Sequence, residues 1–258
     1  MDVQGGVFII TGSATGLGAE VARQLAAKGG RVVINYTRSE TEAKASAEAC
    51  RAAGGEAILC QADVSVDEDC RRMASAALEQ WGRIDGLVNN AATSVIVPHH
   101  NLEGLDSEDF RRVLDVNVVG AFQMARAVTP AMQELGKGAI VNVSSGSGFS
   151  GTGSSIAYAA SKAALNVMTY SLARALAPEI RVNAVCPGVM QTRWWRDGLG
   201  DGYDAFIERY AESAPLKSAG TTETVADPVM WLLEGAEHVT GETILVDAGS
   251  HLGPSPRR

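Results

Sequence analysis

Tyr158 and Lys162 stand four residues apart in a stretch rich in alanine, serine and leucine. On a helix that spacing puts both side chains on one face, where an ammonium beside a phenol favours the phenolate. A phenol that ordinarily ionises near ~10 then becomes a usable acid or base. Ser145 lies 13 residues before Tyr158 in a serine- and glycine-rich run, while Asn117 sits inside a long helical stretch. Taken one at a time, the four are a core tyrosine, a surface lysine, a turn serine and a helix-bending asparagine. The glycine-rich run 144–151, Ser-Ser-Gly-Ser-Gly-Phe-Ser-Gly, contains no Gly-x-Ser-x-Gly elbow, which argues against a serine hydrolase.

A second constellation follows the first apolar run directly: Thr11-Gly12-Ser13-Ala14-Thr15-Gly16-Leu17-Gly18. Glycines between a strand and a helix bring bare backbone N–H groups against a pyrophosphate, so Gly12, Ser13, Thr15, Gly16, Leu17 and Gly18 are candidate cofactor contacts. Their spacing, Gly-x-x-x-Gly-x-Gly, departs from the commoner Gly-x-Gly-x-x-Gly. Metal chemistry finds no such pattern. Cys50, Cys60, Cys70 and Cys186 show no Cys-x-x-Cys spacing and read as free thiols, and the four histidines form no zinc motif, so no metal ligands are assigned.

The elements that must hold these groups alternate along the chain. Short apolar, β-branched runs at 7–11, 31–35, 57–61, 87–90, 139–144, 181–186 and 243–246 read as strands. Between them 19–28, 39–53, 66–80, 106–135, 155–177 and 222–233 favour helix. That order predicts an α/β protein: a doubly wound Rossmann fold with a seven-stranded parallel sheet and helices on both faces. The 258 residues form one expected domain, 1–252, with a lid at about 188–216 and a mobile tail at 253–258. Apolar residues at 46% and charged residues at 20% suit a globular protein with a sizeable core. No apolar run approaches a membrane span, and Met1-Asp2-Val3-Gln4 lacks the features of a signal peptide. The expected location is cytoplasmic. A net charge of −8 without a basic block argues against nucleic acid as a partner.

Taken in order, Asn89-Asn90-Ala91, Asn117, Ser145, Tyr158-Ala159-Ala160-Ser161-Lys162 and Pro187-Gly188 resemble the short-chain dehydrogenase/reductase family over nearly the whole chain, with 3-oxoacyl carrier-protein reductases among the similar members. The resemblance implies hydride exchange between a nicotinamide and a carbonyl or secondary alcohol. Tyr158 would be the proton donor and acceptor, and Ser145 would hold the substrate oxygen. Lys162 would support the phenol and bind the nicotinamide ribose, and Asn117 would position a water that links Lys162 to solvent. It also implies cofactor contacts at Asn90, Ala91, Ala92, Tyr158, Lys162, Pro187, Gly188, Val189 and Thr192, with Asp63 and Val64 at the adenine. Ala92 departs from the family's usual glycine, adding a methyl on the nicotinamide side. The rival from another class is a protein of this fold that senses NADP(H) without catalysis; such proteins tend to lose the Tyr or the Lys.

Cofactor choice turns on 36–39. Tyr36 stands where NAD-selective relatives usually carry Asp, whereas Thr37, Arg38 and Ser39 can meet a 2′-phosphate. NADP (NADPH) is therefore expected, with NAD as the second candidate. Thr15 weighs the other way, because many NADP enzymes of the family carry Arg or Lys there. In the lid, Trp194, Trp195, Tyr203, Phe206 and Tyr210 place five of the chain's 14 aromatics within 17 residues, an apolar surface for a small-molecule carbonyl or alcohol substrate or for subunit packing. Ser145, Tyr158, Trp194 and Trp195 are the expected substrate contacts. With Lys137 the one basic residue among 133–137, and Glu179 beyond the Tyr158 helix, a docking patch for an acidic carrier protein is thin. The resemblance also implies a homotetramer built through the two long helices, 106–135 and 155–177, and through the C-terminal strand region.

Overall fold

β1 (Val7–Ile10) is fully buried along its whole length, as a strand covered on both faces must be. After it the chain alternates through α1 (Gly16–Ala27), β2 (Arg31–Tyr36), α2 (Glu40–Ala52), β3 (Glu56–Gln61), α3 (Asp67–Trp81) and β4 (Gly86–Asn89). It continues through α4 (Ser107–Leu114), α5 (Ala121–Leu135), β5 (Gly138–Val143), the single turn α6 (Ser147–Ser150), α7 (Ile156–Leu176) and β6 (Ile180–Pro187). Last come α8 (Arg193–Leu199), α9 (Tyr203–Ser213), α10 (Thr222–Glu234) and β7 (Thr243–Val246). This computed structural model describes residues 2–253, and most of the expected tail, 254–258, lies outside the described residues.

All pairings are parallel, in the order β3-β2-β1-β4-β5-β6-β7. Alternation along the strands sends Phe8 and Ile10 into one core, with Val21 and Leu25 of α1 and Leu233 of α10. Val7 and Ile9 enter the other, with Met73 of α3 and Met124 and Val128 of α5. The order reverses between β1 and β4, so the connections after these strands part and leave a crevice at the carboxyl ends.

The expected seven strands and parallel order are present, and boundaries agree to within a few residues. Two local differences stand out. The stretch 106–135 is not one regular helix: a π-helical turn, Asp115–Gly120, separates α4 from α5. Helix propensity does not reveal it, because what repays the widened turn is the set of tertiary bonds made by Asn117. The segment 188–216, expected as a lid, is helical, built from α8 and α9, and apart from one bridge between Met190 and Gly220 it carries no strand pairing among the described residues.

Candidate active site

Ser155 caps α7, its hydroxyl accepting from the Tyr158 N–H at 3.2 Å, which fixes where the first turn of that helix begins. Tyr158 therefore projects at the crevice, and Lys162 follows one turn later on the same face. Ser145 follows the end of β5, its Oγ accepting from the Ser147 N–H at 3.1 Å and donating to Ser147 Oγ at 3.1 Å. The tight turn α6 packs on α7 at Gly148, where a Cβ would stand 2.8 Å from the Lys162 carbonyl carbon; only glycine allows that approach.

Lys162 is 2% exposed, and its Nζ donates to the Val143 carbonyl at 2.8 Å while standing 5.6 Å from the centre of the Tyr158 ring. Burial pulls the ammonium down to about 8. Burial likewise pushes the Tyr158 phenol up to about 12, against the opposing pull of the Ser145 hydroxyl. The expectation of a phenol drawn down by its lysine is thus corrected. Desolvation is the largest influence on the phenol, while the Lys162 Nζ, 5.6 Å from the ring centre, donates to Val143. A phenol that stays protonated at neutral pH suits proton donation to a carbonyl oxygen.

Asn117, 1% exposed, faces inward from the π-helical turn. Its Nδ2 donates to the Thr93 carbonyl at 2.9 Å and to Ser161 Oγ at 3.0 Å, and its Oδ1 accepts from the Thr93 N–H at 2.7 Å. Both amide protons are therefore committed to protein. The water-positioning role expected for this residue cannot rest on its side-chain N–H groups; what the side chain does is tie the loop after β4 to the helix of Tyr158.

The crevice floor is the turn between β1 and α1. Gly12 and Gly16 have φ of +62° and +61°, and a Cβ on Gly18 would lie 2.6 Å from Asn90 Nδ2, so side chains are excluded where the loop must stay thin. Asn90 Nδ2 donates to the Thr11 and Gly12 carbonyls at 2.9 and 3.0 Å, stitching the two sides of the crevice. Thr15 precedes α1 without a side-chain cap, leaving the first N–H groups of the helix for an anion. A dinucleotide pyrophosphate fits this cradle. Ser13 is placed differently from its expected contact role. Its hydroxyl is fully buried, donating to the Ile10 carbonyl at 2.7 Å and accepting from the Asn35 N–H at 2.9 Å.

At the adenosine end, a cavity of about 350 Å³ is lined by Thr37, Arg38, Gln61, Ala62, Asp63, Asp69 and Arg72. Tyr36 ends β2; Arg38 is exposed and makes no ion pair among the described residues. Asp63 spends one carboxylate oxygen on the Ser65 N–H and hydroxyl at 2.9 and 2.7 Å, and the Val64 carbonyl accepts from Gln123 Nε2 at 2.7 Å. A larger cavity, about 430 Å³ beside Tyr170, Ala173 and Arg174, holds none of these groups.

Across the crevice, Gly188 follows β6 and its N–H donates to the Val246 carbonyl at 3.0 Å; Val189 and Met190 lead to Thr192 at the start of α8. Ala91 and Ala92 flank the opposite wall, half-buried. The two tryptophans separate in role. Trp194 faces Tyr158, ring centroids 5.8 Å apart and tilted by 51°, whereas Trp195 packs on Phe206 at 4.9 Å inside the lid. Tyr210 anchors α9, its hydroxyl bonded to the Asp247 carbonyl at 3.2 Å and Ser250 Oγ at 2.9 Å.

Sequence reasoning missed Asn35 and Thr11. Asn35, 2% exposed, accepts from the Gly12 N–H at 2.9 Å and donates to the Cys60 and Ala62 carbonyls, locking the phosphate turn to β3. The hydroxyl of Thr11 accepts from the Asn90 and Ala91 N–H groups at 2.9 Å. An amide inside the apolar run of β2, at a buried position, is the signal for Asn35. Gln61, Asp69 and Arg72 carried none, since their place at the adenosine cavity depends on how α3 returns to the sheet.

Among the described residues no three His, Cys, Asp or Glu side chains gather as metal ligands, and no helix is long and apolar enough to cross a membrane. A family model described as Enoyl-(Acyl carrier protein) reductase matches residues 12–251. The chain is 40% identical over 246 residues, 95% of this chain and 96% of the other, to ketoacyl reductase 2 of the granaticin polyketide synthase of Streptomyces violaceoruber. To 3beta-hydroxysteroid dehydrogenase 1 of Eggerthella lenta it is 37% identical over 257 residues, 98% and 96% of the two chains. A solved short-chain dehydrogenase/reductase from Burkholderia xenovorans matches with a TM-score of 0.90 at 39% identity, covering 96% of this chain and 98% of that one.

Proposed function

Since the chain belongs to the short-chain dehydrogenase/reductase family of NAD(P)(H)-dependent oxidoreductases, we propose that it is an NADP(H)-dependent enzyme interconverting a carbonyl with a secondary alcohol, with Tyr158 as the proton donor. A bound nicotinamide supplies or takes the hydride. The single observation that carries the assignment is the placement of Lys162, 2% exposed, with its Nζ 5.6 Å from the centre of the Tyr158 ring one turn earlier on α7. Ser145 and Tyr158 together hold the substrate oxygen, and the phenol gives up its proton as charge grows there. Lys162 keeps a positive charge behind the ring and, from its place one turn below, binds the nicotinamide ribose. Asn117 acts as a positioning residue for the helix that carries them.

Selectivity for NADP(H) is supported by Arg38, exposed and without an ion pair among the described residues, and by Tyr36 in place of a carboxylate that would repel a 2′-phosphate. Asn90, Ala91, Ala92, Pro187, Gly188, Val189 and Thr192 would line the nicotinamide half. Trp194 above Tyr158 supports a carbonyl compound with an apolar or ring portion. A ketoacyl thioester is the second reading, favoured by the name of the Streptomyces relative. We also place the enzyme in the cytoplasm as a homotetramer, for which Phe122, Phe149 and Val167 supply exposed apolar surface on α5, α6 and α7.

A panel of ketones, aldehydes, quinones, sugars and acyl thioesters, assayed for NADPH consumption with wild type and Tyr158→Phe, tests the reading. Tyr158-dependent turnover supports it. Tight NADPH binding with no turnover on any class would make the protein a cofactor sensor instead.

A further inference from the structure

Arg193 and Trp194 are adjacent in the chain, yet they reach opposite ends of the crevice. Trp194 faces Tyr158 at 5.8 Å, whereas Arg193 crosses to α2, its Nη1 3.4 Å from Glu42 Oε1 and its Nη2 3.4 Å from Ser39 Oγ. Both contacts lie at the long limit of hydrogen bonding, and the side chains of Arg193 and Glu42 stay 52% and 45% exposed. An ion pair that long and that wet contributes little to stability. The cation is therefore parked, not locked. Ser39 directly follows Arg38, the unpaired guanidinium at the adenosine cavity. Arg193 of the lid and Arg38 thus converge on one short segment from opposite sides, where the one carboxylate partner is loosely held.

We propose that Arg193 is a lid-borne specificity residue: it exchanges Glu42 for the 2′-phosphate of NADP(H), and that firmer hold keeps its neighbour Trp194 where it already stands, over Tyr158. A guanidinium pairs with a phosphate through two parallel N–H···O bonds, which a carboxylate at 3.4 Å does not provide here. The 2′-phosphate fits better than the pyrophosphate, because both contacts of Arg193 are to the residues after β2 and neither is to the turn 12–18. How firmly the substrate wall is held over the reacting end then depends on which adenosine is bound, so phosphate recognition and retention of Trp194 are coupled. The inference rests on NADP(H) being the cofactor.

Titration with 2′,5′-ADP and with 5′-AMP tests it without turnover. Wild type should bind 2′,5′-ADP more tightly than AMP. Arg193→Ala should weaken 2′,5′-ADP by about three- to tenfold and leave AMP unchanged, with Arg193→Lys recovering part of the loss. Glu42→Gln, which removes the competing carboxylate, should tighten 2′,5′-ADP by about two- to threefold. In steady-state assays Arg193→Ala should raise KM for the carbonyl substrate when NADPH is used and not when NADH is used. If wild type fails to distinguish 2′,5′-ADP from AMP, the NADP(H) reading falls and takes this inference with it. If wild type discriminates and Arg193→Ala discriminates to the same degree, the inference alone is overturned. Equal losses of 2′,5′-ADP in Arg193→Ala and Glu42→Gln would overturn it too, marking the pair as a structural latch.

Discussion

Asn117 Nδ2 donates to Ser161 Oγ at 3.0 Å, so the π-helical turn between α4 and α5 is bonded to α7 at the residue just before Lys162. Through the same amide the turn holds both the N–H and the carbonyl of Thr93, on the loop that walls the crevice. Asn117→Ala would leave these groups without partners in a buried place, at a cost of about 2–5 kcal/mol. We expect a lower midpoint in denaturant and a lower kcat together. A variant that loses activity at unchanged stability would show that the amide acts on the chemistry directly.

Tyr158→Phe removes one hydroxyl and little else. Positioned proton transfer contributes roughly 10²–10⁴-fold, so carbonyl reduction should fall by that amount while NADPH binding, followed by fluorescence, stays within a factor of about two. Retention of more than about a tenth of the rate would mean that another group gives the proton.

Lys162 has a folded-state pKa near 8 against 10.5 when free, so the unfolded chain binds more protons between those values and stability rises with pH across that window. Below pH 8 the full cost of burying the ammonium is present, on the order of 3 kcal/mol, and it fades as pH climbs toward 10.5. Denaturant unfolding of wild type and Lys162→Met at several pH values should show the gap between them changing over this range. A constant gap would contradict the assigned burial of charge. Activity should move the other way in Lys162→Met, lost at every pH.

Arg38 decides between cofactors in this reading. NADPH should exceed NADH in kcat/KM, and Arg38→Ala should lose about 1.5–3 kcal/mol of NADPH binding with NADH unchanged. Wild-type preference for NADH would refute it.

The two lid tryptophans should differ. Trp194→Ala is expected to raise KM for a bulky carbonyl more than KM for NADPH, because its ring faces Tyr158. Trp195→Ala removes packing on Phe206 and should lower thermal stability and disturb both constants. Dissociation to smaller oligomers on gel filtration for Trp194→Ala would assign that ring to subunit packing.

The alternation of apolar runs and helical stretches determined the parallel sheet, because strands buried on both faces need β-branched residues and their crossovers need helices long enough to return. Spacing placed Tyr158 and Lys162 on one face of α7 and the glycines in a βα turn, since both are local consequences of helix and turn geometry. What local pattern does not contain is how distant segments share atoms. Only the folded chain decided that Asn117 spends both amide protons on Thr93 and Ser161, that Asn35 holds the phosphate turn to β3, and that Ser13 faces inward. It also parted Trp194 from Trp195, which the sequence left as equals. The phenol's direction of shift was likewise tertiary: an i, i+4 ammonium argues for lowering, but desolvation is set by every element around the cleft, and here it wins.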